Sequence, residues 1–452
     1  MPSADDLRLA ASRPLPSPAS LLDEMPVGAA GAEAVRRARR EVEAVIRGED
    51  DRLLVVVGPC SIHDPGAARE YAERLVSMRD RVADDLLLVM RVYFEKPRTL
   101  GGWRGLINDP HLDGSFAIDE GLRLARGLLR DLAALGMPAG TELLDPLTPL
   151  YLSDLLAWGA IGARTTESPI HRELASGMPM PVGFKNGTGG DVQIAVDAVR
   201  AARLAHRFLS VTTEGGFAAA ETRGNDACHV ILRGSRRGPN FQGHEVADAV
   251  MRLSAAGLPG RLMIDVSHGN SRKKAEAQPA VARAVAEQIR AGSQVVFGLM
   301  IESHLAFGRQ DHRPSAPLAR GQSITDACLG WDETVPVLEE LARAARDRRA
   351  RAGAATNPPS RTELDAVREE IDAIDDRILA LLHERAEVAL AAFSAKEAEG
   401  RPSFYDPERE RTIVERLTGA PPGALPPSSV ETIFREIIRA CRLIQVRPPS
   451  GR

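Results

Sequence analysis

From Leu53 to about Ile301 the chain repeats one unit: a short apolar run, a charged or metal-ligating side chain at its end, then a helical stretch. LLVVVGPC ends at Cys60, LLLVMR at Arg91 with Lys96 just beyond, and AGTE at Glu142. WGAIGAR supplies Arg164, PVGFK supplies Lys185 and HVILR supplies Arg233. RLMIDVSH brings Asp265 and His268, and QVVFGLMIE brings Glu302. Stretches of helical periodicity such as AREYAERLVSMRD and AVARAVAEQIRAG lie between them. Such alternation predicts a parallel sheet covered by helices, and the α/β solution that closes it is a (β/α)8 TIM barrel whose strand C-termini open on one face. The run FLSVT is one strand too many and, with the Gly-rich stretch after it, reads as a hairpin inserted between the fifth and sixth barrel units.

The rest of the chain frames that barrel. A polar lead-in to about residue 50 carries Val35, Ala38, Val42 and Ile46 at helical spacing, an extension packed outside the barrel. The barrel with its N-terminal extension is expected over residues 1–352, and GAATNPPS at 353–360 reads as a linker because Gly, Asn and paired Pro end helices. Residues 361–446 change to all helix: Leu364, Val367, Ile371, Ile374, Ile378, Leu381 and Val388 form one apolar stripe with no Gly or Pro before Gly400. So small a domain cannot cover a rod of that length with its own chain, which predicts self-association as a homodimer or higher homo-oligomer.

Composition excludes several classes. Net charge is −4 at pH 7 with Lys and Arg dispersed, so no footprint for nucleic acid or an anionic membrane is expected. Cys60, Cys228, Cys328 and Cys441 stand apart without a CxxC pair, which fits a reducing cytoplasm. MPSADDLRLAASRPL has no cationic start followed by an apolar stretch, and no segment is apolar for long enough to cross a bilayer. A cytoplasmic protein is expected.

Cys60, His268, Glu302 and Asp326 offer a thiolate, an imidazole and two carboxylates, a mixed set that suits one divalent Mn, Fe, Co or Zn ion better than Mg or Ca. Arg91, Arg164, Lys185 and Arg233 come from different strand ends, as convergent recognition of phosphate and carboxylate requires.

Taken together, GPCSIHD, MRVYFEKPRT, GWRGLINDPHLDGSF, WGAIGARTTES, PVGFKNGT, ILRG, MIDVSHGNS, ESH and SITDACLGW resemble the type I alpha class of 3-deoxy-D-arabino-heptulosonate 7-phosphate (DAHP) synthase, over roughly residues 5 to 350. The resemblance implies condensation of phosphoenolpyruvate with erythrose 4-phosphate, at the entrance to the shikimate pathway. It also implies divalent-metal ligation by Cys60, His268, Glu302 and Asp326. Arg91, Arg164, Lys185 and Arg233 match its phosphoenolpyruvate-binding cations, with Glu142 and Ala163 beside them. Lys96, Pro97, Arg98 and Thr99 match the segment that receives the aldose phosphate, and Lys96 is the candidate for proton transfer near the aldehyde oxygen. The alternative within this chemistry is a 3-deoxy-octulosonate 8-phosphate synthase, against which the KPRT segment speaks.

Residues 363 to 445 resemble the all-helical class of chorismate mutase. By motif, Arg368, Arg385, Lys396, Asp406, Arg409, Glu410 and Gln445 match its active-site positions, and Cys441 stands where a small polar residue is common. The resemblance implies conversion of chorismate to prephenate; the alternative is a non-catalytic module that senses chorismate or prephenate. Helix geometry adds a constraint. Arg385 and Lys396 share a face about 16 Å apart, whereas Arg368 lies about 25 Å from Arg385 on another face. A single-chain pocket with all three is awkward, and Arg368 is expected to come from a partner chain.

Overall fold

The computed structural model describes residues 12–98, 101–312, 317–354, 361–398, 406–419, 425 and 427–446. Eight parallel strands close into a barrel in the order β1 (Leu53–Gly58), β10 (Val296–Glu302), β9 (Leu262–Asp265), β8 (His229–Leu232), β5 (Val182–Lys185), β4 (Trp158–Ile161), β3 (Ala139–Glu142), β2 (Leu86–Arg91). Between β5 and β8 the strands β6 (Arg207–Val211) and β7 (Phe217–Glu221) pair with each other alone, antiparallel, as the expected inserted hairpin.

The helices are α1 (Pro18–Glu24), α2 (Ala29–Arg47), α3 (Pro65–Val82), α4 (Ile118–Ala134), α5 (Thr148–Leu152), α6 (Pro169–Ser176) and α7 (Gln193–Ala202). They continue with α8 (Gly243–Ala255), α9 (Gln278–Arg290), α10 (Trp331–Ala354), α11 (Arg361–Ala398), α12 (Pro407–Thr418) and α13 (Pro427–Val446).

The two-residue period of a strand sorts the core. Leu53, Val55 and Val57 of β1 pack outward with the helices, whereas Leu54 and Val56 point inward and join Leu87, Val89, Trp158, Ala160, Ile231, Met263 and Met300. Val42, Val45 and Ile46 of α2 belong to that inner cluster, so the N-terminal extension plugs the barrel. Gly48, at φ 80°, ends the helix in the left-handed conformation that glycine adopts without strain. Room inside is tight: at Gly140 a Cβ would lie 2.9 Å from Trp158 Cε3. The Trp158 indole N–H donates to His229 Nε2 at 3.3 Å, and His229 Nδ1 lies 3.1 Å from the Ala227 carbonyl. Burial holds the His229 pKa down at about 4, so the ring is neutral and its Nδ1–H is the donor to Ala227.

The compact unit of the barrel runs from Met1 to Asp347, and a second unit from Arg348 to Arg452, with α10 passing through the division. The expected linker begins at Gly353 near the end of α10, and its residues 355–360 lie outside the described set. In the second unit α11 runs for 38 residues, about 57 Å of helix. It packs with α13, which packs with α12. Along its stripe Val367, Ile371, Ile374, Ile378, Leu381 and Val388 are exposed within the single chain.

One buried cation fastens the N-terminal segment to the barrel. Arg126 of α4, 1% exposed, donates to the carbonyls of Met25 and Tyr151 at 2.9 and 2.8 Å and forks onto both carboxylate oxygens of Asp154. Arg126→Ala strands those acceptors and should cost about 2–3 kcal/mol, since Asp154 keeps some water. Thermal unfolding should then start several degrees lower; an unchanged midpoint would show that the fork carries no stability.

Candidate functional site

The strand period also determines what reaches the open end. Arg91, Glu142, Lys185, Asp265 and Glu302 each follow an inward position by two: Val89, Met263 and Met300 belong to the inner cluster, and a Cβ at Gly140 or Gly183 would meet Trp158 or Ile231 of that cluster. All therefore face the barrel axis at the strand C-termini. Lys96, Pro97, Arg98, Glu142, Ala163, Arg164, Lys185, Arg233, His268 and Asp326 line one cavity there, together with Gly162, Thr188 and Lys273. Thr99 lies outside the described residues.

Cys60 and Arg91 are fully buried and Glu302 nearly so, and none of the three lines the open cavity. Each nitrogen of Arg91 already has an acceptor: Nε on the Pro59 carbonyl, Nη1 on Met300 Sδ, and Nη2 on Glu302 Oε1 at 2.9 Å. Its guanidinium lies 3.5 Å above the Tyr93 ring, and Lys96 and Lys185 flank the same ring at 5.7 and 5.9 Å. Tyr93 thus serves three cations as a π acceptor.

Ligand atoms of Cys60, Glu302 and Asp326 lie within 4.8 Å of one another, and His268 Nε2 is 3.8 Å from Glu302 Oε1. One thiol, one imidazole and two carboxylates at these separations fit a borderline divalent ion. Ser267 Oγ hydrogen-bonds with His268 Nδ1 at 2.7 Å, and Asp265 Oδ2 stands 2.8 Å from the same nitrogen and 3.0 Å from Lys185 Nζ, so Ser267 and Asp265 together orient the imidazole with Nε2 toward the cluster. Burial alone would raise the Asp265 pKa, but His268, Lys185 and the Ser267 hydroxyl outweigh it and hold the carboxyl well below the usual range.

Burial and then the Glu302 charge push the Cys60 thiol up, against the pull of Lys96 and Arg91. For Lys96, burial lowers the pKa, but Cys60, Glu302 and Glu142 more than restore it, and the net shift is upward. At neutral pH Lys96 is therefore a protonated, cationic ammonium. Arg164 Nη1 donates to the Pro97 carbonyl at 2.6 Å, which ties the β4 end to the Lys96–Arg98 segment. Asn186 fixes Arg233 by accepting its backbone N–H at 2.8 Å.

Sequence reasoning missed Lys273, which no strand end carries. It also missed Glu95, buried beside Thr148 and Asp145 and pushed up to about 7 by burial and then Asp145.

The helical unit holds a second cavity of about 430 Å³, large enough for a small ligand. Arg385, Lys396, Asp406, Arg409, Glu410 and Cys441 line it, with Phe434 and Ile438 as apolar wall. Arg385 Nη1 is 2.9 Å from Cys441 Sγ, and Lys396 Nζ is 3.7 Å from Asp406 Oδ2. Asp406 also caps α12 by accepting the Arg409 N–H at 3.0 Å. Arg442, a further cation at this cavity, pairs with Glu410 at 3.4 Å. Arg368 does not join them: it sits exposed on α11, paired with Asp365. The Gln445 side chain lies outside the described set.

Residues 29–339 match the model of the DAHP synthetase I family, and residues 367–446 that of chorismate mutase type II. The Escherichia coli K12 protein named phospho-2-dehydro-3-deoxyheptonate aldolase, Phe-sensitive, is 53% identical over 345 residues, 76% of this chain and 98% of its own. A tyrosine-inhibited aldolase of the same name from Schizosaccharomyces pombe is 49% identical over 349 residues, 76% of this chain and 94% of its own. The solved phospho-2-dehydro-3-deoxyheptonate aldolase of Francisella tularensis SCHU S4 superposes with a TM-score of 0.74 at 50% identity, covering 75% of this chain and 99% of that one.

Because metal ligation deprotonates Cys60, whose thiol is pushed up, divalent-ion affinity should rise with pH through the neutral range. Cys60→Ser should weaken Mn or Co binding at least about tenfold in calorimetric titration and remove any thiolate-to-Co charge-transfer band. Unchanged affinity and spectrum would remove Cys60 from the ligand set.

Proposed function

The chain belongs to the DAHP synthetase I family and carries a chorismate mutase type II domain at its C-terminus, and from that premise we propose how its residues divide two reactions. DAHP synthase activity follows from the family. In our reading the barrel joins C3 of phosphoenolpyruvate to C1 of erythrose 4-phosphate; water adds at C2 and phosphate leaves by C–O cleavage. Gathering Lys96, Arg164, Lys185 and Arg233 in one cavity above the Cys60 cluster is the observation that carries this reading.

Arg164, Lys185 and Arg233 hold the phosphate and carboxylate of phosphoenolpyruvate, offsetting charge that would otherwise keep two phosphorylated substrates apart. Arg91 adds its charge from beneath, and Glu142 and Ala163 form the wall next to these cations. Lys96, kept protonated by its net upward shift, is the ammonium placed to stabilise charge on the aldehyde oxygen and to pass it a proton as the carbon–carbon bond forms. Pro97, Arg98 and Thr99 receive the aldose phosphate. Cys60, His268, Glu302 and Asp326 would hold one Mn, Fe, Co or Zn ion, which supplies Lewis acidity for the aldehyde. The KPRT segment favours a DAHP product over the octulosonate analogue.

For the helical unit we infer catalysis of chorismate to prephenate rather than sensing alone. Arg385, Lys396 and Arg409 at one cavity can hold the two carboxylates of chorismate in the reactive conformer, with Glu410 available to its hydroxyl; Gln445 is assigned to the ether oxygen by motif alone. Arg368 is too far along α11 to reach that cavity in its own chain, and the apolar stripe beside it is exposed. A second copy covering the stripe and lending Arg368 resolves both, so we assign a homodimer as the smallest active mutase.

Assay of the full chain tests the division. Lys185→Ala should lose DAHP synthesis by at least about 100-fold and keep mutase turnover, and Arg385→Ala should do the reverse. A wild-type chain without mutase turnover that still binds prephenate would establish the sensing alternative. Arg368→Ala and Arg385→Ala should each abolish mutase activity, yet mixing them under subunit exchange should restore up to about a quarter of it, since a mixed dimer has one intact site. No recovery after verified exchange would place both arginines in one chain.

A further inference from the structure

After β9 the chain doubles back tightly, and three residues with side chains, His268, Arg272 and Lys273, take left-handed backbone angles of φ 52°, 53° and 60°. Glycine or asparagine would occupy such positions with less strain, so two adjacent long cations there call for a reason. The turn is closed by the Lys273 N–H on the His268 carbonyl at 2.6 Å and the Arg272 N–H on the Gly269 carbonyl at 3.2 Å. It carries the Lys273 side chain to the mouth of the barrel cavity, where it lines the same space as Lys96, Arg98 and Asp326.

In this structure Lys273 Nζ stands 4.0 Å from Asp326 Oδ1, with the lysine 63% exposed. An exposed pair of that length contributes little to stability, so it does not account for the strained turn. Lys273 and Arg98 thus border the same cavity as Asp326 from two segments of chain. Arg98 spends only its Nε, on the Trp103 carbonyl at 3.2 Å, among the hydrogen bonds described. Once Asp326 turns to a metal ion, both cations lose an anionic neighbour at the mouth, which a phosphate dianion can replace.

We propose that Lys273 is a specificity-determining residue for the aldose phosphate, closing on its phosphate group opposite Arg98 when Asp326 is committed to the metal. This rests on the assignment of residues 96–99 to that substrate. The test compares kcat/KM for erythrose 4-phosphate and for unphosphorylated erythrose, with saturating phosphoenolpyruvate and Mn, in wild type, Lys273→Asn and Lys273→Arg. Asparagine tolerates the left-handed backbone, so the turn is retained. Lys273→Asn should lose about 10–100-fold on the phosphorylated aldose only, with KM for phosphoenolpyruvate and calorimetric Mn affinity within about twofold of wild type, and Lys273→Arg should recover most of the loss. An unchanged preference for the phosphorylated aldose, or equal loss on both aldoses, would overturn the role of Lys273. A wild-type chain that does not turn over erythrose 4-phosphate would instead overturn the substrate assignment beneath it.

Discussion

Charge neutralisation inside the barrel is the constraint on which the rest depends. Strand alternation forces Arg91, Lys185, Asp265 and Glu302 to point inward, where an unpaired charge would cost several kcal/mol. They resolve this in pairs, Arg91 with Glu302 at 2.9 Å and Lys185 with Asp265 at 3.0 Å. In the proposed reading each pair joins a phosphoenolpyruvate-binding cation to an acid of the candidate metal cluster or its support, so the electrostatics that let the barrel close would also couple the two sites.

Above that floor, rigidity gives way to loops held by specific contacts. Asn186 fixes Arg233, and Arg164 bridges to Pro97. Strained turns then place His268 and Lys273. Such strain persists only where surrounding bonds over-determine the backbone, as the Asn270 side chain does by donating to the Leu232 and Asp265 carbonyls. The helical unit gathers charge on another scaffold: arginines and a lysine on helices line one cavity, where Lys396 faces Asp406 and Arg442 pairs with Glu410. Within the single chain Arg368 stands apart from that cavity and the apolar stripe of α11 is exposed, the two observations on which the proposed dimer rests.

The sequence by itself determined the barrel, its inserted hairpin and the cations and acids at strand ends, because a two-residue period carries each terminal charge to a known side and apolar runs mark the strands. It likewise determined α11, since helical spacing without Gly or Pro leaves one reading. Only the tertiary structure decided that Arg91 is sealed beneath the cavity while Arg164 lines it, for depth along the barrel axis depends on strand stagger. Lys273 also stayed hidden in the sequence, because its side chain reaches the site through a left-handed turn made by hydrogen bonds to His268 and Gly269, and no local residue preference encodes such a turn. Glu95 was invisible for the same physical reason: its shifted acidity comes from burial and from Asp145, a residue brought beside it by folding alone.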